Sequence, residues 1–114
     1  MLIARHGDVG IFKVKKDRST LTSKKQKSLT VALGEMTGHH HTVLPTKGSV
    51  IESLGNTDTD QESIFFSVTG APAVFTHQEH DLAVLEPLNE DEAYVRVIQN
   101  EYQPFEKIIQ RVAD

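Results

Sequence analysis

The sequence predicts an all-β fold, a single small sandwich or barrel of short antiparallel strands, and three observations lead there. Apolar residues recur with period two in Leu29-Thr30-Val31-Ala32-Leu33, and residues 93–102 form the longest and most regular strand-like segment. Glycine, proline, asparagine and aspartate punctuate the chain at short intervals. No window before the last ten residues carries a convincing amphipathic helix; residues 105–112 fit either a terminal strand or one short C-terminal helix, because Ile108, Ile109 and Val112 follow helical spacing.

In order along the chain, residues 2–4 read as a strand. Gly7 and Asp8 supply a turn, and residues 9–14 resume the strand. Residues 15–27 are rich in Lys, Ser and Thr with only Leu21 to anchor them, which predicts a loop or the exposed end of a long hairpin. Residues 29–33 alternate, with one face expected to be buried. Residues 39–44 can continue as a strand that places His39 and His41 on one face and His40 and Thr42 on the other. Strands are expected at 50–54, 63–69 and 73–76, separated by the polar connection 55–61 and by Gly70-Ala71-Pro72. Pro72 and Pro87 mark strand ends, since proline donates nothing to a ladder. Residues 82–85 and 93–102 are expected to form a further strand pair across the turn at 86–91. With 114 residues, no linker and no internal repeat, residues 1–114 are expected to form one domain with a core that needs no covalent staple.

Composition narrows the chemistry. The absence of cysteine excludes disulfides, thiolate metal sites and cysteine nucleophiles, so any metal must sit on nitrogen and oxygen. Met1 is not followed by a charged and then apolar leader, and no apolar run approaches the roughly 20 residues that span a bilayer, so a cytoplasmic protein without a membrane partner is expected. Charge is divided between the halves: residues 1–50 carry nine Lys/Arg against three Asp/Glu (+6), and residues 51–114 carry three against thirteen (-10). The basic segment from Lys13 to Lys27 has no aromatic residue after Phe12 to stack on a base, so a solvated loop, or one docked on an acidic neighbour, is preferred over a nucleic-acid site.

Two histidine clusters concentrate the coordination chemistry. Gly34–Thr42 holds three of the six histidines, and Thr76-His77-Gln78-Glu79-His80 holds two more. Imidazole nitrogen suits zinc, copper, nickel and iron, and ligands must converge at about 2.0–2.1 Å for zinc. An i, i+2 pair on one strand facing ligands on a neighbour meets that need. The expected metal ligands are therefore His39, His41, His77 and His80, holding a divalent transition metal with zinc first, and Glu35, Glu79 and His6 are spare candidates. The competing reading is surface histidines on loops that bind nothing. Ser53, Ser63 and Ser67 lie in strand-like segments without a sharp nucleophile turn, and no glycine loop leads into a helix, so nucleophilic and phosphate-binding sites find no support. The Asp91-Glu92 pair falls in a turn and reads as solvation rather than acid–base chemistry.

Gly34-Glu35-Met36-Thr37-Gly38-His39-His40-His41, followed by Thr76-His77-Gln78-Glu79-His80 and by the stretch from Tyr94 to Pro104, resembles a family of small uncharacterised bacterial and phage-associated β proteins with a G-E-x-T-G-H-x-H and T-H-x-E-H pattern. The resemblance spans most of the chain, implies that the two clusters belong to one site, and names no activity. A looser similarity is to cupins, small metal-holding barrels with a His-x-His pair. This chain departs from them where a glutamate should follow, because Pro45 and Thr46 stand there.

Three functional classes follow. The first is a non-catalytic β module that binds a divalent metal in an accessory or assembly role. The second is an open, cupin-like metalloenzyme. The third is a phage or virion-type interaction protein with incidental histidines. The first is preferred, then the third, and the balance leans away from an enzyme. The opposite charges of the two halves suit a homo-oligomer or a protein partner, in the cytoplasm or in a phage particle.

Overall fold

The computed structural model describes residues 1–33, 40–77 and 80–98, with the side chains of residues 80 and 81 left aside. Ten strands form among them: β1 (Leu2–His6), β2 (Val9–Lys15), β3 (Ser23–Gln26), β4 (Leu29–Leu33), β5 (His40–Pro45), β6 (Val50–Leu54), β7 (Ser63–Thr69), β8 (Ala73–His77), β9 (His80–Leu85) and β10 (Glu92–Ile98). They make two antiparallel sheets, six-stranded in the order β1-β2-β10-β7-β6-β3 and four-stranded in the order β4-β5-β8-β9. The all-β expectation holds, as a sandwich and not a closed barrel.

Local chemistry explains the connections. β1 and β2 turn through Gly7-Asp8, where Gly7 takes a φ of 60° that only glycine adopts without strain. From β3 onward the chain alternates sheets, crossing at β3–β4, β5–β6, β7–β8 and β9–β10 with hairpins between. Two of these crossings lock together: Gly70, φ 84°, lies so near the Gly48 carbonyl that a Cβ would collide with it, and the Thr46 hydroxyl donates to the Pro72 carbonyl at 2.6 Å. β10 then inserts between β2 and β7, aligning Val95 with Phe12 on one side and Phe65 on the other.

Alternation assigns the faces. Ile11, Phe66 and Tyr94 from the larger sheet meet Val31, Val43 and Phe75 from the smaller in the central core. On the reverse face of the larger sheet, Phe12, Val14, Val95 and Val97 form a second buried cluster with Phe65 packed on it. β10 is thus buried on both sides, which is why its sequence reads as a nearly continuous apolar run.

Three expectations need correction. The segment 15–27 is not one loop: Asp17 caps a 3-10 turn at Arg18–Thr20 by accepting from the Ser19 amide, and β3 follows, paired with β6. Its polar character reflects an edge strand, where exposed lysines discourage further pairing. Segments 82–85 and 93–102 do not pair with each other, because β9 pairs with β8 and β10 with β2 and β7. In β4 a bulge between Thr30 and Ala32 breaks the period, so Val31 and Ala32 are buried while Leu33 turns outward, 57% exposed. The expected ending at 105–112 and the end of the 93–102 segment lie outside the described residues.

Candidate metal centre: histidines between the sheets

One end of the sandwich gathers the end of β1, the start of β5 and the end of β8, each contributing an inward-facing histidine. His6 pairs in register with Val9 at the β1–β2 turn. His41 lies opposite Ala32 on β4, and His77 lies opposite His80 on β9. Each of the three ladders carries an irregularity, between Leu2 and Ala4, Thr30 and Ala32, and Phe75 and His77. Such bulges bend a strand and re-aim its side chains; those at Ala32 and at His77 adjoin the inward histidines of β5 and β8, whereas the one in β1 ends two residues before His6.

The rings converge. The His41 and His77 centroids are 4.2 Å apart at an interplanar angle of 31°, and His6 and His41 are 5.9 Å apart. Phe75 forms the floor, stacked on His6 at 4.3 Å and 10°, with His41 at 6.0 Å. His6, His41 and His77 are 5%, 8% and 8% exposed, and the Nδ1 atoms of His6 and His41 are fully enclosed. Three imidazoles, each with an apolar ring face and two polar nitrogens, are therefore held at the dry end of a hydrophobic core.

Of the four expected ligands, the structure brings His41 and His77 together. It places the His80 backbone directly across from His77, and His39 lies outside the described residues, as do Glu35 and Glu79. His40 points away and is exposed. His6, a spare candidate in the sequence, joins the pair from the opposite sheet. Among the described residues no group of three or more His, Asp or Glu side chains is already arranged around one metal position. Phe75 and the bulges carry no sequence signal of their own; the stacking of Phe75 on His6 and the register shifts of the β1–β2, β4–β5 and β8–β9 ladders appear only in the folded sheets.

Arg96 is a second feature that alternation alone did not mark. It is wholly buried on the inward face of β10, and its Nη2 donates to the carbonyls of Gln61 at 3.0 Å and Thr59 at 3.3 Å. Its Nε and Nη1 meet no hydrogen-bond acceptor among the described residues, and burial pulls the guanidinium pKa down to about 10. The opposite end of the sandwich holds an open groove of about 670 Å³ lined by Lys15, Lys16, Asp17, Ser19, Glu90 and Asp91. Its charges compensate one another: Lys15 Nζ lies 3.2 Å from Asp91 and 3.9 Å from Glu92, and Arg18 donates to the Asn89 and Glu90 carbonyls. This groove and the histidine chemistry are thus at different ends. No helix among the described residues is long and apolar enough to cross a membrane, which says nothing of strands.

No curated protein and no solved structure matches the chain. One family match spans residues 5–87, from the end of β1 to just beyond β9, and so takes in all six histidines while leaving β10 outside. The chain belongs to that family, described as a domain of unknown function, DUF8820.

Proposed function

We propose that the protein is a small non-catalytic β module that binds one divalent transition metal, zinc first, through its inward histidines, in an accessory or assembly role. The observation that carries this reading is the meeting of His41 and His77, 4.2 Å apart and buried at the end of the sandwich. Two neutral imidazoles on neighbouring strands supply half of a tetrahedral site, and rotation about their side-chain torsions would turn two nitrogens toward a point about 2.0–2.1 Å from each. His80, across the ladder from His77, and His39, two residues before His41, are proposed to complete the set, with His6 as the substitute from the opposite sheet. Four protein ligands would close the site and leave no position for a substrate, hence a structural role. The cupin-like enzyme gains nothing here, since Thr42, Val43, Leu44 and Pro45 follow His41 without a carboxylate.

The test is elemental analysis of the untagged protein, with the variants His41→Gln and His77→Gln, which keep a polar side chain of similar size. One equivalent of metal is expected in the parent and none in either variant. Metal binding only the folded state should also raise stability, by about 2.7 kcal/mol at a hundredfold excess over the dissociation constant. Ligation needs deprotonated nitrogen, so both effects should fade as pH falls through the region near 6.5 where histidine ordinarily titrates. A parent that stays metal-free after incubation with zinc, nickel and manganese overturns the reading.

A further inference from the structure

The outer face of the four-stranded sheet bears no charged side chain among the described residues, in a chain where 25% of residues are charged. The register arranges it in rows. Leu44, Val74 and Val84 align across β5, β8 and β9. Beside them run Thr30, Thr42 and Thr76, with Leu33 paired to His40 beyond and Leu82 exposed two residues before Val84 on β9. Leu82 is 65% and Val84 54% exposed, so the apolar rows stand open to solvent. As described, the face is valine, leucine and threonine with His40 at one end, the composition of a buried sandwich surface more than of a solvated one.

We propose that this face is an interface between two copies of the chain, packed sheet on sheet about a two-fold axis parallel to the strands. The described part of the face carries no Lys, Arg, Asp or Glu, so it is self-complementary: no like charges among these residues meet when it is laid on itself. The rim supports that axis. Lys27 lies just before β4 and Glu86 just after β9, both exposed and at the same end, because β4 and β9 run antiparallel. Rotation about the strand direction lays β4 of one copy over β9 of the other, so Lys27 of each meets Glu86 of its mate. Head-to-tail attraction between the basic and acidic halves is a weaker drive, because Lys15 and Arg18 are already engaged with residues 89–92 of their own chain. Strand spacings of about 4.8 Å and a rise of about 3.3 Å per residue give a face of roughly 400 Å² in plan per copy. Two faces then bury on the order of 1,000 Å², which fits a weak, concentration-dependent dimer. The proposal deepens the assembly role above without using the metal.

Sedimentation equilibrium of the full chain over a wide concentration range tests it, in dilute buffer and in about 1 M NaCl, where the screening length is about 3 Å, each with and without chelator. A dimer is expected under all four conditions. Val84→Lys and Leu82→Lys should each raise its dissociation constant at least about tenfold, because a buried lysine without a counterion is costly. Both substitutions are at solvent-exposed positions, so at concentrations where the parent too is monomeric the variants should melt with it. Lys27→Glu should weaken the dimer at low salt, and adding Glu86→Lys should restore it. A parent that is monomeric at every concentration overturns the proposal and leaves the face to a different protein. A dimer dissolved by salt, or unaffected by both lysine variants, overturns it too. A dimer lost only with chelator transfers the association to the metal, whereas one persisting in a protein that binds no metal keeps this proposal and removes the other.

Discussion

At the residue scale, Tyr94 and Arg96 are neighbours on the inward face of β10 with opposite responses to alkali. The Tyr94 hydroxyl donates to the Glu86 carbonyl at 2.6 Å, and burial, then the charges of Glu86 and Glu92, push its pKa up to about 12. A phenol whose folded pKa exceeds its unfolded value near 10 favours folding fully below pH 10, and that contribution is lost as pH climbs from 10 to 12. Arg96 runs the other way: its folded pKa of about 10 lies below the ordinary 12.5, so the penalty of burying its charge is relieved as pH rises through the same window and beyond. Tyr94→Phe should therefore cost about 1 kcal/mol at pH 7 for the lost hydrogen bond. In the same variant, stability should rise or stay level between pH 10 and 12, where the parent's gain from Arg96 is offset by Tyr94. Urea titrations at pH 8, 10 and 12 check this, and a parallel loss in both proteins would contradict it. Arg96→Met removes a buried charge at nearly constant volume, so global stability should hold within about 1 kcal/mol. Amides near Thr59 and Gln61 should then exchange faster, since the loop loses its anchor. A loss of several kcal/mol would show that the charge has a strong partner.

At the scale of elements, strands were legible from alternation where one face is wet and from short apolar runs where both are dry, and so β2, β4, β6, β7 and β8 follow the expectation to within a residue or two. What alternation cannot encode is an extra residue. The bulge in β4 turns Leu33 outward against the pattern, and the irregularity between Phe75 and His77 sets how His77 meets the cluster. Pairing between distant strands was equally hidden: nothing local to residues 92–98 says that β10 must leave β9 and insert between β2 and β7. β3 was missed because Ser23, Lys24, Lys25 and Gln26 carry no apolar alternation, a polar edge that discourages further pairing. The crossings between sheets depend on close backbone approach, and Gly70 is the tightest point. Gly70→Ala combines a positive φ with a collision at the Gly48 carbonyl, for which a cost of about 1–3 kcal/mol is expected. Gly7→Ala has the same positive φ and open space around it, so it should cost less. Thermal denaturation of both variants orders them, and equal losses would contradict the packed-crossing account.

At the scale of the whole molecule, the two halves of opposite charge meet within one fold. Lys13 and Lys15 lie 3.9 Å from Glu92, and the Arg18 turn sits on residues 89 and 90. Glu92 is buried, but its lysines are 35% and 73% exposed and sit 3.9 Å away, near the limit of an ion pair, so these contacts orient the basic segment more than they hold the fold together. The sequence marked the histidines by their number but could not show that two segments roughly forty residues apart would sit on adjacent strands, nor that His6 would arrive from the other sheet. That meeting is the central claim, and imidazole nitrogen resonances report it directly. In ¹H–¹⁵N correlation spectra of the histidine rings at pH 7.5, one equivalent of zinc should move the nitrogens of His41 and His77 together to coordinated shifts, leaving those of exposed His40 in place. Zinc that shifts His40 alone, or that leaves the His41 and His77 nitrogens unmoved at stoichiometric addition, would contradict a metal centre between the sheets.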